Sequence, residues 1–542
     1  MSTAPVSPPR PPVANNLAML LSGLAEHRSD DTAFIHGEER LSFGQLHERA
    51  LCAAQGLAEL GVGPGDRVAL WLPNVPAYPI LYFACAFLGA IAVAVNTRYR
   101  AVEVADIVGR SGAKVLACAP AFRRIDFLSI LADIDPAALH GLAALVIVGA
   151  EPSTKPPAIE NLQRVPLDRL LARPPLAASQ ARPDAPCNIF TTSGTTSTPK
   201  FVLHRQSAIV GHAQRVARSF GFTAPDTLSL AILPLCGVFG FNQTMATLAA
   251  GRPSVLVESY EIDEIARLIE RHRPTFMCGS DDMFARLLEA VPGEHPFPSV
   301  KWVGYAGFNM ALADIAERAE ARGLRLGGLY GMSEVQALYA RQPIEAEVSR
   351  RKLGGGVPVS PLAHIRVRDP ESGALLGPGQ PGALECMGPS MMVGYYGNPK
   401  ATAGSFTEDG YFRTGDLAEL DEHGGFTFLA RMGDVLRLSG FLVNPMEIET
   451  HIQAFAGVEA CQTIALARPE GVRAAAFVVL KPGSALDEAA IIAHCRRGLA
   501  NYKVPVRVFA VEDFPKTPSP NGFKIQRGKL REMAEELMRS AS

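Results

Sequence analysis

Apolar and polar positions along this chain follow two rhythms in turn. Short apolar runs, the mark of buried strands, alternate with stretches whose apolar residues recur every three or four positions, the mark of helices. The pattern predicts a strand over residues 39–41, then a helix from Ser42 to about Leu60 that stops at Gly61. Ser42 is placed as its N-cap, with Gln45 as the capping-box partner. A strand over 67–72, a helix over 77–88 and a strand over 90–95 come next, then a helix over 101–111 and strands over 114–118 and 142–148. Residues 187–190 read as a strand and 204–220 as a helix, with a Pro/Ala-rich surface connection over 173–186 before them. Further strands are predicted over 228–233, 254–257, 275–278 and 301–304, and helices over 240–249, 262–273, 281–290 and 311–322. Such alternation predicts an α/β fold, a large N-terminal domain of doubly wound, mostly parallel sheets. From about Leu353 the chain changes to short β segments with glycine turns, such as 364–367 and 382–387, which predicts a small β subdomain. Beyond Arg431 lie roughly a hundred residues of short βα pattern, enough for a small separate α+β C-terminal domain. The expected organisation is a disordered tail over 1–15, an N-terminal domain over 16–432 and a C-terminal domain over 433–542.

Composition narrows the picture. The 542 residues carry a net charge of −2 with 20% charged residues, so neither nucleic acid nor an acidic membrane is expected as a partner. The apolar stretch 79–95 is shorter than a membrane span of about 20 residues and is split by Gly89, which favours a helix followed by a buried strand. The nine cysteines are scattered without metal-binding spacing, so free thiols in a reducing cytoplasm are expected. The first residues lack an apolar core, so no signal peptide is expected.

Candidate chemistry starts at Phe190-Thr191-Thr192-Ser193-Gly194-Thr195-Thr196-Ser197-Thr198-Pro199-Lys200, where seven of eleven residues carry a hydroxyl. A strand feeding such a loop can hold a polyphosphate through backbone N–H groups, hydroxyls and the lysine charge. A Ser/Thr-rich surface turn is the other reading. The spacing is not that of a Walker loop, because Pro199, Lys200 and Phe201 stand where Gly-Lys-Ser/Thr is needed.

The loop resembles the signature of the acyl-adenylate-forming superfamily (acyl-CoA synthetases, adenylation domains and luciferases), whose pattern is roughly Thr-Ser-Gly-Thr-Thr-Gly-x-Pro-Lys-Gly. The match holds at Thr192–Thr196 and Pro199-Lys200; Ser197 and Phe201 replace glycines, predicting a stiffer, more crowded loop. Three further segments appear in family order: Tyr330-Gly331-Met332-Ser333-Glu334, Thr414-Gly415-Asp416, and Lys524-Ile525. The resemblance implies a catalytic group of Lys524, Thr192 and Glu334. It implies Mg²⁺ on Glu334, phosphate contacts from Ser193, Gly194, Thr195, Thr196, Lys200 and Ser333, and adenine against Tyr330, Ala306 and Gly307. Asp416 would bind the ribose diol, Arg431 ribose or phosphate, and Gly440 would line the CoA tunnel. Gly433 takes the hinge position, so the resemblance implies that 433–542 is a mobile lid carrying the catalytic lysine. Lys516 competes with Lys524 for the role of catalytic lysine, and the Lys-Ile pair favours Lys524.

For the acyl pocket the resemblance implies Gly237, Phe239, Phe241, Phe308 and Met332. Gly237 replaces a family histidine, and no acid lies between Cys236 and Asn242, which argues against an amino-acid substrate. Ser280-Asp281-Asp282 reads as a helix N-cap. The expected activity is ATP-dependent conversion of a carboxylic acid to acyl-AMP and then to a CoA thioester. Expected ligands are ATP, Mg²⁺, coenzyme A and a mostly apolar acid; a homodimer is compatible with the chain. Three alternatives stay open: an enzyme of one half-reaction, a loader of a separate carrier protein, and a non-catalytic nucleotide-binding protein.

Overall fold

The structure is a computed structural model. It describes residues 14–149, 162–192, 199–308, 312–433, 435–438, 441–468, 471–519 and 522–540. The tail expected over 1–15 lies, up to residue 13, outside the described residues. The chain divides into two compact units: residues up to Cys278 with Gly331–Tyr339 and Gly388–Ala403, and Gly279–Tyr330 with Ala340–Met387 and everything from Gly404.

The first unit carries two sheets. One has the order Gly394–Tyr395, Phe201–Arg205, Pro186–Thr191, Ile91–Ala94, Arg67–Trp71, Val115–Cys118, Ala144–Ile147 and Gln163–Pro166. Its last six strands pair in parallel. Trp71 stacks on Phe127 at 4.1 Å in a core shared with Val93, Ile107, Leu116 and Leu145. Five neighbouring strands of the other run in the order Glu39–Ser42, Thr32–His36, Ser254–Leu256, Ser229–Ala231, Phe276–Ser280.

Local signals produce the expected elements. Ser42 caps the helix Phe43–Glu59, accepting from the Gln45 amide while the Gln45 side chain accepts from the Ser42 amide. Helix Ala77–Leu88 is buried on every face and closes at Gly89, whose φ of 67° suits glycine. Strand Ile91–Ala94 follows directly. Among the described residues no helix is long and apolar enough to cross a membrane.

One expected element is corrected. The helix expected from 204 starts at Gln206, because Phe201–Arg205 forms a strand antiparallel to Pro186–Thr191. The phosphate-loop candidate is therefore a hairpin connection rather than a strand-to-helix step. The apolar run Phe201-Val202-Leu203 supplies a core face, and the Phe201 ring lies buried in the core under the Arg110 guanidinium at 4.2 Å. Phe201 thus packs into the sheet. Helix Leu17–Arg28 and strand Thr32–His36 were not expected from the pattern.

In the second unit, Trp302–Ala306 and Leu326–Met332 pair in parallel through Tyr305 and Gly328. An antiparallel sheet runs Gly355–Pro358, Phe426–Arg431, Phe412–Leu420, Gly382–Met387, His364–Arg368, Leu375–Leu376, the expected β segment. Toward the C-terminus, Val458–Arg468, Gly471–Leu480 and Arg507–Ala510 form a three-stranded sheet. Ile448, Ile452, Ile491 and Val508 belong to one of its apolar clusters, and Phe477, Phe509 and Leu530 to another. The overall class is the expected mixed α/β fold.

Candidate functional site

In the first unit the ends of the hydroxyl-rich loop are tied to each other. The Thr192 amide donates to the Lys200 carbonyl at 3.0 Å, and the Lys200 amide donates to Thr192 Oγ1 at 3.3 Å. Arg110 adds a bond to the Pro199 carbonyl at 2.8 Å. Ser193, Gly194, Thr195 and Thr196 lie outside the described residues, as does Ser197. Lys200 Nζ stands 4.7 Å from the centre of the Tyr395 ring, and the Tyr395 hydroxyl donates to Glu334 Oε1 at 3.0 Å. A cation, a phenol and a carboxylate thus form one chain of contacts. Burial, with the Glu334 charge second, pushes the Tyr395 phenol well above its ordinary pKa, so it stays a donor.

Glu334 is half-buried. As a single hard carboxylate, it fits Mg²⁺, which keeps several waters and needs only one or two carboxylates. The preceding Ser333 carbonyl accepts from His204 Nε2 at 2.7 Å, and the Ala337 carbonyl accepts from His212 Nε2 at 2.7 Å. Both rings are buried, and desolvation lowers both from 6.5 to about 4. The sign follows from proton uptake. Below about pH 6.5 the unfolded chain binds protons that the folded chain refuses until about 4, so stability falls as pH falls through this interval. Each histidine contributes up to about 3 kcal/mol to that loss. Melting temperatures measured from pH 7 to 4 will fall, and His212→Gln will flatten the slope.

In the second unit a buried carboxylate is the centre. Asp416 sits on Phe412–Leu420 directly across from Arg431 on Phe426–Arg431. Tyr330 OH donates to Asp416 Oδ2 at 2.6 Å, and Arg431 Nη1 pairs with Oδ1 at 2.8 Å. The Tyr330 ring meets Phe426 edge-on at 5.0 Å. Thr414 Oγ1 donates to the Leu384 carbonyl and accepts from the Asp416 amide, which fixes the turn. Tyr330, Asp416 and Arg431 are therefore brought together.

Ala306 ends the strand Trp302–Ala306, and Gly307 follows it directly. The Phe308 amide donates to Asp281 Oδ2 at 2.7 Å, and the Phe308 side chain is 52% exposed. Asp281 opens the helix Asp281–Ala290, and Ser280 is its N-cap, as expected.

Among the pocket candidates of the first unit, Gly237 is the N-cap of Val238–Ala249. Phe239 and Phe241 lie buried on that helix, and Phe241 packs edge-on against Tyr82 and Phe190. Met332 is half-buried at the end of its strand. In the C-terminal region Lys524 lies on Gly522–Ile525, its backbone paired with Thr517 across a hairpin. Lys516 on the opposite strand forms an ion pair with Asp513 at 2.7 Å. Gly440 lies outside the described residues. Gly433 is exposed, and a Cβ there would meet no atom within 4 Å.

Tyr395, His204, His212 and the tie from Asp281 to the Phe308 amide are site features that no sequence motif announces. The available signal for Tyr395 was its place in Gly394-Tyr395-Tyr396-Gly397, an aromatic pair between glycines. The histidines carried no signal beyond lying in apolar surroundings.

Comparison with known proteins identifies the family. Residues 23–396 match the AMP-binding enzyme family, and residues 447–520 match the AMP-binding enzyme C-terminal domain. A 3-[(3aS,4S,7aS)-7a-methyl-1,5-dioxo-octahydro-1H-inden-4-yl]propanoyl:CoA ligase from Mycobacterium tuberculosis is 32% identical, covering 95% of this chain and 98% of that protein. A feruloyl-CoA synthase from Amycolatopsis is 31% identical, covering 92% and 95%. The crystal structure of ATP-bound MatB from Rhodopseudomonas palustris superposes with a TM-score of 0.81 at 27% identity, covering 96% of this chain and 99% of that one. The chain belongs to the AMP-binding enzyme family.

Proposed function

We propose that the protein activates an apolar, ring-bearing carboxylic acid with ATP and transfers the acyl group to coenzyme A. It is an AMP-forming acid–thiol ligase. The observation that carries the nucleotide half is the buried Asp416 between Tyr330 and Arg431, an acceptor pair suited to a ribose diol beside an aromatic face. The two relatives, named for an indane-bearing propanoyl group and for a feruloyl group, support a ring-bearing acid. The lack of any acidic residue from Gly237 to Phe241 supports an acid without an amine.

A free carboxylate is a poor acyl donor because oxide is a poor leaving group. In the first step a carboxylate oxygen bonds to the α-phosphorus of ATP while the bond to the departing pyrophosphate breaks. Lys524 offsets the charge of the two anions that must meet, and Lys200 adds positive charge beside the phosphates. Glu334 would hold magnesium, which when bound would neutralise the pyrophosphate charge. In the second step the CoA sulfur bonds to the acyl carbon, the bond to AMP breaks, and the thiol proton is released. Residues 433–542 act as a lid that turns at Gly433 between the steps, and the open space around that glycine supports free rotation. The nine buried free thiols support a reducing, cytoplasmic setting.

The test is ATP–pyrophosphate exchange with a panel of carboxylic acids, followed by CoA. Ring-bearing acids are expected to give exchange and then acyl-CoA. Exchange with no thioester sinks the CoA reading. Exchange only with amino acids sinks the substrate class.

A further inference from the structure

The segment Gly331–Tyr339 carries Glu334 and is held under strain. Gln336 and Leu338, neither of them glycine, adopt left-handed φ values of 67° and 63°. The segment folds back on Gly331 so closely that a Cβ there would come within 2.6 Å of Ala337 Cα. Such a backbone persists only where its surroundings over-determine it. Here the holding groups are buried side chains of the same unit. His204 Nε2 donates to the Ser333 carbonyl, and His212 Nε2 with Asn242 Nδ2 donates to the Ala337 carbonyl. Gln336 Nε2 in turn donates to the Ala208 carbonyl at 3.0 Å. Because carbonyls only accept, both imidazoles must carry a proton on Nε2. The two fixed carbonyls lie on either side of Glu334 in sequence. His204 follows Lys200 by four positions on the strand that leaves the hydroxyl-rich loop, so one strand ties the loop end to the acidic segment.

We propose that His204 and His212 are positioning residues, a two-point clamp that holds the Ser333–Glu334 segment in place for the adenylation half-reaction. This rests on the reading of Ser333 and Glu334 as phosphate- and metal-side residues. A structural histidine would serve both half-reactions equally through stability. A clamp on this segment serves the step in which pyrophosphate charge must be neutralised, and much less the later transfer of the acyl group to sulfur.

The experiment compares His204→Leu, which keeps bulk and removes the donor, with His204→Gln, which restores an N–H at similar reach. Three quantities are read: amide hydrogen exchange in the ligand-free protein, ATP–pyrophosphate exchange, and CoA-dependent consumption of supplied acyl-AMP. His204→Leu is expected to speed amide exchange chiefly within Gly331–Tyr339 and to lower ATP–pyrophosphate exchange about 10- to 100-fold, with acyl-AMP consumption within about twofold of the parent. His204→Gln is expected to recover most of the loss. Equal losses in both half-reactions, with faster amide exchange spread over the whole unit, overturn the clamp in favour of plain stability. Unchanged ATP–pyrophosphate exchange in His204→Leu overturns it directly. A Glu334→Gln control separates the layers. If that variant keeps full ATP–pyrophosphate exchange, the reading of the segment fails and takes the clamp with it. If it loses exchange while His204→Leu does not, the clamp alone fails.

Discussion

Lys524→Ala will lower ATP–pyrophosphate exchange about 10²- to 10³-fold, the size of effect seen when one preorganised charge partner of a transition state is removed. Acyl-AMP supplied from outside will still be consumed with CoA, because the anion pair that Lys524 serves no longer has to be brought together. The prediction is specific because the hairpin carries two lysines. Lys516 and Lys524 lie on opposite strands, in a register that pairs Lys516 with Ile525 and Thr517 with Lys524. Lys516 is exposed and pairs with Asp513, a surface contact of small energetic weight, so Lys516→Ala is expected to change exchange by no more than about twofold. A single-turnover measurement of acyl-AMP formation on both variants decides the matter. If Lys516→Ala shows the large loss and Lys524→Ala the small one, the two assignments exchange places. If neither variant loses the first step, the hairpin holds no catalytic lysine.

The residues that could be read in advance are those whose signals are local. Ser42 and Gln45 stand three apart and cap the same helix, so type and spacing suffice. Helix Ala77–Leu88 could be separated from a membrane span by its length and by Gly89 alone. Strand Phe201–Arg205 was hidden for the opposite reason. Its partners are Pro186–Thr191 on one side and Gly394–Tyr395 on the other, and only tertiary pairing makes it a strand. The candidate site divides in the same way. Glu334 and Asp416 were legible by residue type inside short motifs. What holds them was not: Tyr395 reaches Glu334 across 61 positions, and His204 reaches Ser333 across 129. Neither contact leaves a spacing that a single chain can reveal, since the sheet and not the helical or strand period brings the pair together.

Asp416→Ala is expected to raise the KM for ATP on the order of 10- to 100-fold, as lost hydrogen bonds from a charged group to a diol do. Stability is expected to fall by about 1–3 kcal/mol, because the buried Tyr330 hydroxyl loses its acceptor. Arg431 adds little to that fall. Its side chain is 52% exposed, so it can turn into water when its partner is removed. The same exposure lets it move aside when a ribose hydroxyl approaches Asp416 Oδ1. The control is Tyr330→Phe, which removes the hydroxyl and keeps the ring, the Asp416 charge and its pairing with Arg431. Asp416 loses one bond in that variant, so a stability loss of about 1 kcal/mol is expected, with KM for ATP within about threefold of the parent. Denaturant unfolding and steady-state kinetics on the two variants separate a fold role from a nucleotide role. An Asp416→Ala protein that loses stability but keeps the parent KM for ATP would make the carboxylate a strut between two strands and remove it from the ribose site. A large rise in KM beside an intact Tyr330→Phe enzyme fixes the ribose contact on the carboxylate itself.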